Sequence, residues 1–211
     1  MKKHFNLLLT LFLLSTLVSA QEGGFQYLFG QKDLSFSGFG GPIEELSLID
    51  GDLAFCNGGG GALIINQSFF IGGYGMGLSS RNDVPNLYGL NDYHLDFGHG
   101  GMWFGFINNS RDMVHYGGSI KLGAGQISIR EFNDWHHEYA ADNIVVINPT
   151  FEAEVNVTSW FKMNMGLGYR LVGSVNKHDK TYIENEYFNG FKSRDFNSPM
   201  LNISFLFGYF R

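Results

Sequence analysis

The chain has 211 residues, enough for one domain, and a formal charge of −6 without a basic cluster, which argues against nucleic acid as a partner. Aromatic residues make up 16% and charged residues also only 16%, well under the roughly 25% of charged residues in an ordinary soluble domain. The single cysteine, Cys56, excludes an intramolecular disulfide and is expected as a small buried or lipid-facing strand residue.

Residues 1–20 read as a signal peptide: Lys2 and Lys3, an apolar core over Leu7–Val18, then Val18-Ser19-Ala20 as the small-residue site, with cleavage after Ala20. No Cys follows that site, so a lipid anchor there is not expected. Residues 21–33 are expected as a short periplasmic segment and 34–211 as the folded domain. Past the signal, no apolar stretch nears the roughly 20 residues of a membrane-spanning helix. A membrane protein built this way has one remaining solution, because every backbone polar group in lipid needs an internal partner: a closed barrel.

Gly and Asn clusters divide 34–211 into eight expected strands, 34–48, 52–66, 68–80, 92–107, 113–129, 143–157, 160–174 and 197–210. Most have room for the roughly 9–11 residues that cross a bilayer at a tilt. The fourth changes face: Tyr93, Leu95 and Phe97 lie on one side, Met102, Phe104 and Phe106 on the other, so a bulge is expected at Gly98–Gly101. The fifth sets Val114, Tyr116, Ile120 and Leu122 against His115, Ser119 and Lys121. In the sixth, Val145, Ile147, Phe151, Ala153, Val155 and Val157 oppose Asn148, Thr150, Glu152, Glu154 and Asn156. The seventh alternates Phe161, Met163, Met165, Leu167, Tyr169 and Leu171 with Lys162, Asn164, Gly166, Gly168 and Arg170. The last sets Leu201, Ile203, Phe205, Phe207 and Tyr209 against Asn202, Ser204 and Gly208.

Connections carry independent information. Asn66-Gln67-Ser68, Asn108–Asp112 and Thr158-Ser159 are short, whereas Arg81–Asn91, Arg130–Asp142 and Val175–Phe196 are long; the first link, Asp50-Gly51, is also short. Alternating short and long links match tight periplasmic turns on one rim and external loops on the other. The many strand glycines, such as Gly58–Gly61, suit the tight curvature of a narrow barrel, with aromatic neighbours filling the gaps.

These strands, with the terminal run Leu201–Phe210, give a chain that resembles the small eight-stranded outer-membrane β-barrel proteins, the group of the OmpA membrane domain and OmpX. The resemblance implies an all-β, transmembrane, antiparallel up-and-down barrel in a Gram-negative cell envelope. It also implies a last strand read by the barrel-assembly machinery, although Arg211 stands where a terminal Phe is usual. Members of the group are structural proteins, adhesins, surface-shielding proteins or enzymes, so the resemblance selects no activity.

Few residues suggest chemistry. Lys121, Glu152, Glu154, Lys162 and Arg170 are expected to face inward and pair as a structural lumen network, since an unpaired buried charge is costly. His94, Asp96, His99 and His115 offer acid–base residue types, yet Gly98-His99-Gly100-Gly101 lacks the Gly-x-Ser-x-Gly elbow of lipases. Asp134, Trp135, His136, His137, Glu138 and Tyr139 fall in an external loop without spaced metal-ligand pattern. No catalytic, cofactor-binding or metal site is expected, and no cofactor.

The expected function is an integral outer-membrane barrel with a closed polar interior, exposed external loops and a structural or surface-interaction role. It is not expected to be a general diffusion porin. Its expected partners are outer-membrane lipids, the assembly machinery during insertion and an external ligand contacted by loops. A lipid-modifying enzyme such as an acylhydrolase, and a secreted lipocalin-like barrel, are the alternatives; the second reverses the wall, with apolar residues inside.

Overall fold

Side chains that alternate in character along a strand separate onto two faces, and closing the sheet turns those faces into an outside and an inside. The computed structural model describes residues 34–84, 93–131, 138–173, 181–183 and 186–210; the expected signal peptide and periplasmic segment, 1–33, lie outside them. Eight strands close the barrel: β1 (Phe36–Ile49), β2 (Asp52–Ile65), β3 (Phe69–Leu78), β4 (Tyr93–Asn108), β5 (Val114–Glu131), β6 (Glu138–Asn156), β7 (Phe161–Gly173) and β10 (Ser198–Tyr209). Each pairs antiparallel with its sequence neighbour, and β1 pairs with β10 to complete the ring. The connection from β7 to β10 holds a hairpin of β8 (Thr181–Ile183) and β9 (Glu186–Phe188) and one helical turn, α1 (Ser193–Phe196).

Turn chemistry fixes the registers. Asp50 and Gly51 both have positive φ (51° and 93°), the requirement of a two-residue hairpin turn that follows strand twist, and Ile49 pairs with Asp52 across it. On the opposite rim Asn66 and Gln67 (φ 52° and 57°) turn β2 into β3.

Two expectations need correction. Strand β4 contains no bulge: its pairing to β5 runs unbroken from Tyr93↔Glu131 to Asn108↔Tyr116. Leu95 and Phe97 face inward and Met102 and Phe106 outward in one register, because the interior beside the upper part of β4 is itself apolar. The irregularity lies between β5 and β6 instead, between Ile127 and Ile129, where β6 carries an extra residue beside Ala140 at positive φ. Strand β6 also starts five residues earlier than expected, so Glu138–Asp142 are strand rather than loop. It meets β7 first at Val145↔Gly173, so the upper ends of β4, β5 and β6 extend past the closed wall.

The interior is polar mainly along β5, β6, β7, β10 and the upper part of β1 and largely apolar along β2–β4, so the expected polar lumen fills part of the barrel and not all of it. Along β1–β4, Phe39, Phe70 and Trp103 meet edge to face at 5.3–5.4 Å. Gly60 makes room for Trp103: a Cβ there would lie 3.2 Å from the indole. Gly60→Val is expected to cost about 1–3 kcal/mol by overpacking. Gly75→Val, where an added Cβ meets nothing within 4 Å, is expected to be no less stable than the parent. Urea midpoints of the two purified variants measure the contrast.

At the long-loop rim Phe97 stacks on Phe196 (5.7 Å), which meets Phe191 (5.9 Å), which meets Phe188 (4.9 Å). These buried rings place the β9–β10 connection over the mouth. The outer wall is the reverse of a soluble surface: Leu63, Phe151 and Leu167 are each more than 60% exposed. Near the short-turn rim Trp160 and Phe161 stack on Phe207.

Candidate functional site in the barrel interior

Period-two alternation on β5, β6 and β7 sends one polar residue inward every second position, so charged groups from three strands share a confined space. The five residues expected there, Lys121, Glu152, Glu154, Lys162 and Arg170, are all inside and at least 94% buried. They do not form one network; they fall into three groups.

Nearest the short-turn rim, Glu154 Oε1 accepts from Lys162 Nζ (2.6 Å) and His115 Nε2 (2.8 Å). The other His115 nitrogen, Nδ1, faces the Asp112 carbonyl oxygen at 3.1 Å. An oxygen therefore faces each ring nitrogen of His115. In the second group Glu152 accepts from Ser119 Oγ (2.5 Å) and Asn164 Nδ2 (3.1 Å), one donor to each oxygen. Lys121 stands apart, with Nζ 5.1 Å from the Trp103 ring and 5.9 Å from that of Tyr74.

Arg170 forms the third group, at the mouth. Its guanidinium donates to Glu45 Oε1 (3.1 Å), Ser47 Oγ (3.0 Å), the Leu48 carbonyl (3.0 Å) and the Phe196 carbonyl (3.0 Å). Its Cζ lies 4.9 Å from the Phe97 ring centre. One side chain thus binds β1, β7 and the turn that covers the mouth. Around it Leu48 N–H donates to Ser198 Oγ, Val172 N–H to Asn197 Oδ1 and Asp50 N–H to the Asp195 carbonyl.

Glu45, the partner of Arg170, was not among the expected site residues. Gly40-Gly41-Pro42 hides the alternation of β1, and only its continuation in Glu45, Ser47 and Ile49 signals the inward face. The four acid–base candidates do not assemble. His94 and Asp96 share the outer face, where Asp96 Oδ2 lies 2.8 Å from Arg130 Nε. His99 is inside, its Nδ1 3.1 Å from the Tyr74 hydroxyl, and His115 is at the other end of the barrel. Cys56 is fully buried. Asp134, Trp135, His136 and His137 lie outside the described residues. Glu138 pairs with Arg130, and Tyr139 meets Tyr93 edge to face. Among the described residues no group of three or more His, Cys, Asp or Glu is placed to hold a metal ion.

The barrel is similar to the crystal structure of Neisserial surface protein A (NspA), with a TM-score of 0.56 and 12% identity over 83% of this chain and 99% of that one. The fold is that of a small eight-stranded barrel. Ail, the attachment invasion locus protein of Yersinia pestis, aligns with a TM-score of 0.43 and 12% identity over 82% of this chain and 96% of that one. No protein-family profile and no curated protein matches the chain.

Proposed function

We propose that the chain is an integral protein of a bacterial outer membrane, exported by a signal peptide cleaved after Ala20, with a structural or surface-interaction role and no catalytic activity. The observation that carries this reading is the wall itself: bulky apolar side chains exposed around a closed barrel, with charges inside. Water would not tolerate a continuous apolar surface of that size, whereas hydrocarbon solvates it. Stacked aromatics near the short-turn rim suit the level of lipid headgroups. The lipocalin-like alternative needs the opposite wall. The acylhydrolase alternative needs His, Ser and carboxylate to converge at a rim; His94 and Asp96 share the outer face there, but Asp96 is held by Arg130, His99 faces inward and His115 lies at the opposite end. On this reading outer-membrane lipids and the assembly machinery are the partners, with an external ligand at the long-loop rim; no cofactor is needed. The description of NspA as a surface protein fits that orientation. Cell fractionation tests the placement. The protein is expected in the detergent-extracted outer-membrane fraction and to shift its gel mobility on boiling; recovery as a freely soluble product would overturn the reading.

A further inference from the structure

One charged side chain stands on the wrong side of the wall. Along β1, Ile43 and Glu45 point inward, 0% and 1% exposed, so Glu44 between them points outward with Leu46. Among the described residues it is the single charged group that the closed wall turns outward between its rims. Leu46 and Phe55 lie above it and Ile203 beside it on β10, so it belongs to the apolar band and not to a rim. Its Oε2 has no hydrogen-bond partner among the described residues. A carboxylate facing hydrocarbon is costly and by default marks a functional contact.

The cross-strand neighbour of Glu44 on β2 is Asn57, which follows the buried Cys56 and also faces outward. A carboxamide offers the donor that a carboxylate needs, and acyl chains offer none. The wall beside this pair is bare. Pro42, Gly59, Gly75 and Gly100 neighbour one another across the strands in the next row, and Gly77 and Gly98 continue the row of Asn57. On β3 and β4 these glycines alternate with the buried Tyr74, Met76 and His99, so they face outward. A Cβ at Gly75 or Gly77 would meet nothing within 4 Å. Inside a membrane small residues let backbones approach closely, and polar side chains then bond across the contact.

Acceptor and donor lie side by side on one surface, so a twofold contact sets each Glu44 against the Asn57 of the other copy. The chain thus carries the group that its own wall needs. We propose that the β1–β3 wall around Glu44 and Asn57 is the face through which two copies of this chain pair within the membrane. The inference rests on the membrane placement proposed above.

Sedimentation equilibrium of the full chain in density-matched detergent micelles, over a range of protein-to-detergent ratios, reads the association. A reversible dimer is expected. Glu44→Leu and Asn57→Leu should each weaken it by about tenfold, the scale of polar contacts between membrane segments. An equimolar mixture of the two variants should dimerise better than either alone, because the mixed dimer keeps one Glu44–Asn57 contact. Gly77→Val, which the barrel itself has room for, should weaken pairing, whereas Met165→Val on the opposite wall should not. A micelle-bound, heat-shifted protein that is monomeric at every ratio overturns the inference and leaves the placement intact, as does a dimer indifferent to Glu44→Leu and Asn57→Leu. A product soluble without detergent overturns both. Should Glu44→Leu fail to fold, Asn57→Leu and Gly77→Val decide.

Discussion

Replacing Arg170 by Ala is expected to cost about 3–5 kcal/mol of stability, the range for removing one member of a buried ion pair. The change strands Glu45, which is 1% exposed, and frees Ser47 Oγ and the carbonyls of Leu48 and Phe196 at once. Arg170→Lys keeps the charge but loses the planar fork that reaches several acceptors, so it is expected to recover only part of the loss. Because the same guanidinium holds the Phe196 carbonyl over the mouth, protease sensitivity of the β9–β10 connection should rise with the destabilisation. Urea unfolding in vesicles, with limited proteolysis alongside, measures both. In planar bilayers the parent should show no large steady conductance, since rings and paired charges fill its interior.

Placing Arg at Leu167 is the second large effect. Leu167 is 66% exposed on the outer face of β7, flanked across strands by Phe151 and Leu201. In hydrocarbon, Arg near the midplane of a barrel wall costs about 2–4 kcal/mol, and the cost falls toward the interfaces. Leu167→Arg is therefore expected to lower stability by that amount in vesicles, and Arg at Phe161 or Leu171, near the two ends of the strand, by less. Were the wall bathed in water, the same exchange at an exposed position would stay within about 0.5 kcal/mol.

The two variants sample what the sequence states clearly. On β5, β6, β7 and β10 most residue types match their face, so the turns and the inward position of Lys121, Glu152, Glu154, Lys162 and Arg170 were legible, whereas the upper limits of β5 and β6 were not. Legibility fails where the interior is apolar. Leu95 and Phe97 resemble outward residues by composition, which suggested a break in β4 that the continuous pairing denies. It fails again beyond the wall, where polar Asp142 and Asn143 in the upper part of β6 look like loop. Pairing partners were the least legible, because they depend on how the sheet closes. Glu45 and Arg170 are 125 residues apart, and nothing local in either segment announces the other. The β8–β9 hairpin and α1 are short and built from polar residues and scattered Phe, with no periodicity to read.

On the proposed placement lipid, and not water, contacts the bulky face of each strand. Nitroxide labels placed singly from Phe161 to Leu171 in vesicles, probed with oxygen and with a water-soluble relaxation agent, test it most directly. Positions 163, 165, 167, 169 and 171 should be open to oxygen and shielded from the aqueous agent, while 162, 164 and 170 should be shielded from both. High aqueous accessibility at 163, 165 and 167 would contradict the claim.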